Sequence, residues 1–347
     1  MPASAPDLTE LGWNRFFAEQ IREEEQAALV PVRVMSAHRG KIGVAGAGGA
    51  ELISPHMANA EGPEGHPAVG DWLLIDIQTR VPARILERAS LFKRRAPGHD
   101  RRLQLIAANV DTLFIVASCN EDFNLARLER YLVLAREARV QPVIVLTKAD
   151  LATAPEGFAE QARGLATQLP VQVVNARDPA SVAALAAWCG PGQTVALLGS
   201  SGVGKSTLVN TMRGSDSIAT QPVRADDGKG RHTTTVREIH RLAQGGWLMD
   251  TPGMRELQLT DVAGGLAMVF ADIGELAKSC QFTDCVHDQE PGCAVQGAIA
   301  GGQLDPARLD RMRRLAEEDR VNSAAPGEWI APEKPVGEPG RPNRRRR

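Results

Sequence analysis

The period of the hydrophobic positions changes along the chain, and each change marks a different kind of element. Leu8, Leu11, Trp13, Phe16, Phe17 and Ile21 recur at helical spacing ahead of Glu23, Glu24 and Glu25, which predicts an amphipathic N-terminal helix packed on its neighbour. From Pro31 to Arg88 the pattern becomes short alternating segments (VRVMSA, KIGVAG, DWLLIDI, ARILER) between glycine-rich turns and the loop from Asn59 to Pro67. That pattern suits a small all-β barrel. From Leu105 apolar strands (IAANVDTLFIVAS, PVIVLTKAD, VQVVNA, TVALLGS) alternate with helical stretches at 125–138, 156–168 and 180–188. Alternation of this kind predicts a parallel sheet covered on both faces. After Gly253 the strands stop, leaving helical pattern at 262–277 and 306–318 around a Cys/His cluster. The proline-rich end, closing on Arg344 to Arg347, cannot build a core and is expected to be disordered.

Composition narrows this picture. With 347 residues, 43% of them hydrophobic, the chain can build more than one core, which excludes a small disulfide scaffold. The apolar runs fall well short of the ~18 residues of a membrane helix. Five cysteines do not close into pairs, and the first residues lack a basic start followed by an apolar stretch, so a reducing, cytoplasmic setting is expected. The net charge of -2 averages opposed patches: basic residues cluster at Arg88, Lys93, Arg94, Arg95, Arg101 and Arg102 and again at the C-terminal end. A basic stretch beside a small β-barrel is a recurrent RNA-binding arrangement.

The chemistry is concentrated in short motifs. Gly199-Ser200-Ser201-Gly202-Val203-Gly204-Lys205-Ser206-Thr207 follows the strand TVALL and precedes a helical stretch, the context of a phosphate-binding loop. Its backbone N–H groups would curl around phosphates, Lys205 would reach the β and γ phosphates, and Ser206 would ligate Mg²⁺. Asp250-Thr-Pro-Gly253 has the form D-x-x-G, in which Asp250 would hold Mg²⁺ through water and Gly253 would sense the γ phosphate. Between them, Gly230-Arg-His-Thr-Thr-Thr235 offers Thr234 or Thr235 as a switch threonine. Thr147-Lys148-Ala149-Asp150 is placed to select the base: the Asp150 carboxylate would accept from guanine N1–H and its amine, which adenine lacks, while Lys148 lies along the base. Val174-Asn175-Ala176 is the candidate loop for guanine O6.

GTPases ordinarily run phosphate loop, switch threonine, D-x-x-G and then the base selector. Here the base-selecting pieces come first, so the order is circularly permuted. The permutation is tolerable because each motif still ends a strand of one sheet. In the C-terminal region Cys280-x4-Cys285-x-His287-x5-Cys293 offers three thiolates and an imidazole, a full tetrahedral set for one structural Zn²⁺. Cys119 and Cys189 are expected to be ordinary thiols.

The segments LGWNRFF, AVGDW, QLIAANVD, TKAD, GSSGVGKST, GRHTTT, DTPGMREL and CQFTDCVHDQEPGCAV together resemble the ribosome small-subunit-dependent GTPase A (RsgA) family, from Leu11 to Glu318. The resemblance implies a multidomain fold: an N-terminal OB-fold β-barrel with its leading helix (1–98), a permuted α/β P-loop GTPase domain (99–262) and a mainly α zinc-binding domain (263–320); the Pro/Arg-rich tail (321–347) falls outside the resemblance and is expected from its composition to be disordered. It implies hydrolysis of GTP to GDP, stimulated by the 30S subunit, in late 30S maturation. The expected partners are GTP/GDP with Mg²⁺, the 30S subunit and its 16S rRNA, with no membrane and a monomeric chain. Met254 follows D-x-x-G where Ras-like enzymes carry a water-orienting Gln, and a thioether cannot orient water. Slow intrinsic turnover is therefore expected, with His232 or a group from the partner completing the catalytic set of Lys205, Thr234 and Thr235. Two competing readings are an RNA-binding scaffold with incidental hydrolysis and an ATP-using P-loop enzyme.

Overall fold

The computed structural model of the chain describes residues 7–38, 40–58, 60–95, 102–214, 237–250 and 257–323. These fall into two compact units divided between Leu257 and Gln258. The first opens with α1 (Arg15–Ala18), capped by the Asn14 side chain, which accepts from Phe16 N at 2.9 Å. The longer amphipathic helix read from the sequence does not form. Gly12 sits at φ +93 and so close to the Gly192 carbonyl that a Cβ there would lie 2.8 Å from it, so the backbone turns between Leu11 and Trp13. The apolar residues are still used: Leu11 and Phe17 are buried, and Trp13 packs edge-on against Trp72.

An antiparallel set follows: β1 (Leu29–His38), β2 (Lys41–Gly46), β3 (Gly49–Ile53), β4 (Trp72–Asp76) and β5 (Pro82–Ile85). Its core is the inward-facing set Val32, Val34, Ile42, Val44, Ile53, Leu73 and Ile75. Next comes a hairpin of β6 (Leu91–Arg95) and β7 (Leu103–Ala108). Lys93, Arg94 and Arg95 therefore lie on a strand rather than on a plain linker. Asn109, at φ +53, ends β7. The apolar run read as one strand is thus two, β7 and β8 (Thr112–Ser118).

The α/β part continues through α2 (Leu125–Glu137), β9 (Gln141–Thr147), α3 (Pro155–Arg163), β10 (Val171–Val173), α4 (Pro179–Val182) with a short 3-10 extension, β11 (Thr194–Leu198), α5 (Lys205–Arg213), β12 (Arg237–Arg241) and β13 (Trp247–Asp250). Strands β10-β9-β8-β11-β13 are all parallel, and β12 pairs antiparallel with β13. They are mostly apolar because helices cover them, with Phe114, Val143, Val145, Val195 and Leu248 buried in one core. The sheet does not stop at β12. Its first residues pair with β1 through Ala37↔Arg237 and Ser36↔Glu238, so the antiparallel set and the parallel set are hydrogen-bonded into one sheet.

Arg33 on β1 fastens the same region from inside. Its guanidinium donates to the carbonyls of Leu11 (2.5 Å) and Asn109 (3.1 Å) and to Thr194 Oγ1 (2.8 Å). Burial is complete enough to push its pKa down to about 10.

The second unit contains α6 (Ala263–Val269), α7 (Ala271–Ala277), α8 (Ala294–Ala300) and α9 (Pro306–Ser323). Phe270, at φ -107 and ψ 34, splits the single helix expected over 262–277. Helix α8 was not expected, and α9 extends past Glu318 to Ser323. Arg308 joins α9 to α7: it donates to both Asp272 carboxylate oxygens at 2.7 and 2.9 Å and to Val269 O, and stacks 4.9 Å above the Phe270 ring.

Candidate functional site

The carboxyl ends of β8 and β9 are level, with Ser118 paired to Thr147, while β11 ends opposite Ile115, earlier along β8. The loops that leave them meet at one edge of the sheet, the position where open α/β sheets bind ligands. Strand β11 runs into the glycine loop and α5 starts at Lys205. Gly199 is held against β8, where a Cβ would lie 2.2 Å from Val116 O, so no side chain fits there. Gly204 caps α5 at φ +94, and Ser206 and Thr207 stand in the first turn of that helix, where free N–H groups favour an anion. Lys205 is buried and its ammonium donates to the carbonyls of Gly199 (2.7 Å) and Ser200. Its charge is therefore carried at the mouth of the loop.

Thr147 ends β9 fully buried, and its hydroxyl donates to Val203 O inside the glycine loop, with Ala117 O 3.2 Å away. One hydroxyl therefore ties the base-selecting segment to the phosphate-binding one. Lys148 follows in left-handed conformation at φ 57, and Ala149 and the exposed Asp150 form a short 3-10 turn with Leu151. Ala149 N reaches Val174 O at 3.5 Å, which sets the 174–176 loop beside it. Asn175 N donates to Ser181 Oγ, while Thr211 of α5 donates to Ala176 O at 2.7 Å. Residues 147–150, 175–176 and 199–207 thus converge on one locus. Asp250 ends β13, the strand next to β11. His232, Thr234, Thr235, Gly253 and Met254 lie outside the described residues, as do Arg101 and the tail from residue 324.

One contact here had no sequence signal. Arg127, in the first turn of α2, donates to Ser200 Oγ in the glycine loop and is held by the Asp122 carboxylate at 3.1 Å to each oxygen. A lone arginine on an amphipathic helix carries no motif, and only the tertiary fold brings it to the loop.

The second unit gathers the other predicted set. Ligand atoms of Cys280, Cys285, His287 and Cys293 all lie within 4.8 Å of one another. Cys280 Sγ is 4.0 Å from Cys293 Sγ, and His287 Nδ1 is 3.6 Å from both sulfurs. A tetrahedron with ~2.3 Å metal–sulfur bonds has edges of ~3.8 Å, so the spacing fits a metal ion. Arg313 and Gln296 donate to the His287 carbonyl, fixing the turn that bears the imidazole. Burial holds His287 below its ordinary value, which favours the neutral ligand form. Burial, followed by the neighbouring thiols, pushes Cys285 up to about 12, a repulsion that a divalent cation reverses. Cys119 and Cys189, by contrast, are buried thiols that burial pushes to about 11 and about 12. They are packing residues.

Of the basic cluster, Arg88 is used internally, paired with the fully buried Asp71 at 2.7 Å. Lys93 pairs with Glu64 at 3.0 Å. Among the described residues no helix is long and apolar enough to cross a membrane.

A phosphate-loop strand in the middle of a parallel sheet, with the base-selecting strand before it in the chain, defines a circularly permuted GTPase. The RsgA GTPase family profile matches residues 85–260. The chain belongs to this family: it is 51% identical over 325 residues to the small ribosomal subunit biogenesis GTPase RsgA of Mesorhizobium japonicum, covering 92% of each. It is 48% identical over 325 residues to small ribosomal subunit biogenesis GTPase RsgA 2 of Vibrio vulnificus, covering 93% of this chain and 91% of that one. Among solved structures, YjeQ from Thermotoga maritima shares the fold with a TM-score of 0.60 at 22% identity, over 84% of this chain and 98% of that one. YloQ, described as a circularly permuted GTPase, aligns with a TM-score of 0.61 at 24% identity over 88% of this chain and all of the other.

Proposed function

We propose that the chain hydrolyses GTP to GDP and phosphate while bound to the small ribosomal subunit, and that hydrolysis times its departure during late maturation of that subunit. The observation that carries this reading is the Thr147 hydroxyl on Val203 O, which makes base selection and phosphate binding one rigid unit. Backbone N–H groups of 199–204 and the ammonium of Lys205 bind the phosphates, and Asp150 with Lys148 selects guanine. Asn175 and Ala176 border the base. Ser206 and, through water, Asp250 would hold Mg²⁺, which would supply charge neutralisation at the β and γ phosphates. Thr234 or Thr235 closes over the γ phosphate, and Gly253 senses it. His232 or a group from the subunit orients the water, because Met254 cannot.

The metal held by Cys280, Cys285, His287 and Cys293 is a single structural Zn²⁺, since four protein ligands leave no open position. The working form is a cytoplasmic monomer, with the N-terminal strands (1–98) and the adjoining basic residues contacting 16S rRNA. The GTPase machinery occupies 99–262 and the zinc-bearing part 263–320. The test is GTP turnover with and without purified small subunits. Stimulation of tenfold or more supports a timer, whereas unchanged turnover with tight subunit binding means a scaffold.

A further inference from the structure

The phosphate loop is held near both ends by side chains of other elements, and one of these has no part yet in binding nucleotide. Toward its C-terminal end the Thr147 hydroxyl donates to Val203 O. At its start Gly199 is pressed against β8, where a Cβ would lie 2.2 Å from Val116 O. Ser200 is then taken up by two cations. The Lys205 ammonium donates to its carbonyl, and the Arg127 guanidinium donates to its hydroxyl. Between these fixed points stand Ser201 and Gly202, both exposed, at the crown of the loop. Backbone N–H groups of this stretch are the ones that would cradle the β and γ phosphates, so their directions depend on the residues that flank them.

The support behind Arg127 is itself ordered. Arg127 stands in the first turn of α2, where its backbone N–H donates to the N-cap side chain of Asn124 at 3.0 Å. Leu128, Leu132 and Val133 are buried and fix that helix in place. The guanidinium meets both Asp122 oxygens at 3.1 Å. Asp122 is set in turn by Asn120, whose Oδ1 accepts from Asp122 N at 3.1 Å and from Ser118 Oγ at 2.8 Å. Cys119 N donates to Thr147 O at 2.9 Å, so the segment that carries Asp122 is continuous with the residue that holds the far end of the loop. The Asp122 carboxylate offsets the guanidinium charge. The pair therefore contributes geometry more than electrostatic attraction to a phosphate.

We propose that Arg127 is a positioning residue for the nucleotide: through the Ser200 hydroxyl it sets the crown of the phosphate loop before GTP arrives, so that binding does not have to order it. This rests on the GTPase reading above and deepens it, by naming a residue of α2 on which phosphate binding depends. Arg127 acts through the loop and is equally in place for the bound substrate and for the transition state. Uniform binding of that kind appears in KM and leaves kcat alone.

The test titrates the full chain with N-methylanthraniloyl GTP and GDP and follows GTP turnover. Arg127→Gln and Ser200→Ala are each expected to raise the Kd for both nucleotides and the KM for GTP about fivefold, with kcat within about twofold of the parent. Because the two residues share one contact, the double variant should also lie about fivefold from the parent, where independent sites would give ~25-fold. Asp122→Ala removes the support and should raise KM as well. Its sign is informative, since deleting a negative charge near the phosphates lowers KM if electrostatic attraction is what matters. Arg136→Gln, a charge loss in the last turn of α2, should change none of these.

A double variant near ~25-fold, or tighter nucleotide binding in Asp122→Ala, would overturn the proposal. So would a fall in kcat with KM unchanged, which would place the guanidinium at the reacting phosphate instead. A lowered melting temperature with parental affinity would overturn it too, by reducing the contact to fold stability. If the parent binds GTP without hydrolysing it, the GTPase-timer reading fails instead, while the affinity cycle still decides the role of Arg127.

Discussion

Thr147 occupies a position where the common GTPase motif has an asparagine, and a single hydroxyl takes over the link to Val203 O. Thr147→Val keeps the shape and removes the donor, leaving a buried carbonyl without its partner. The expected result is a roughly tenfold rise in the Kd for GTP, equivalent to about 1.4 kcal/mol, with Thr147→Ser close to the parent; equal affinities for all three by nucleotide titration would mean the hydroxyl does not hold the loop. Asp150→Asn should abolish guanine selectivity and create binding of xanthine nucleotide, whose extra carbonyl accepts where guanine donates. Competition between the two nucleotides measures this directly. Lys205→Ala is expected to lower turnover by ~100-fold or more, the usual scale for removing one charge-stabilising donor. These residues were legible in the sequence because each sits in a contiguous motif whose spacing is set by one strand–loop–helix turn. Arg127 and Arg33 were not legible, because their partners (Ser200; Leu11, Asn109 and Thr194) are brought near only by the fold.

At the scale of elements, the apolar strands of the parallel sheet were readable because both of their faces are covered, which leaves an unbroken apolar run. The same feature misled at the boundary of β7 and β8, where apolar residues flank the Asn109 turn on both sides. Strands β3 and β12 went unseen: GAELI and REIHR are short and half polar, and pairing with neighbours rather than composition makes them strands. Between α7 and α9, the Asp272–Arg308 pair gives a pH prediction. Burial raises the Asp272 pKa and the hydrogen bonds from Arg308 more than offset this, so the folded value lies below the ordinary one. A depressed folded value means that its contribution is complete above the unfolded value of ~3.9 and is lost as pH falls through the folded one. Replacing Arg308 by Met should therefore lower the melting temperature at pH 7 and narrow that difference on acidification below pH ~4. A pH-independent difference would assign the loss to packing on Phe270 instead.

For the whole molecule, the change of texture near residue 99 was plain in the sequence, but the hydrogen bonding between β1 and β12 across it was not, since sequence pattern does not report pairing between distant segments. The division after Leu257 has an experimental counterpart. Chelation of the metal, or Cys285→Ser, should lower or remove a calorimetric transition belonging to the second unit while GTP affinity in the first stays within about twofold. Metal analysis of the parent is expected to return one zinc per chain. The β1–β12 pairing also bears on how the chain is made. Ala37 meets Arg237 only after about two hundred further residues have left the ribosome, so this pairing has a high contact order and forms late. Until then the Ser36–Ala37 end of β1, beyond the stretch that β4 covers, is an unpaired edge open to strands of other chains, and refolding at high concentration should aggregate through it. A nascent chain can complete its first strands early, yet it can bind nucleotide only when synthesis has passed β13, so the GTPase becomes competent only once residue 250 has left the ribosome.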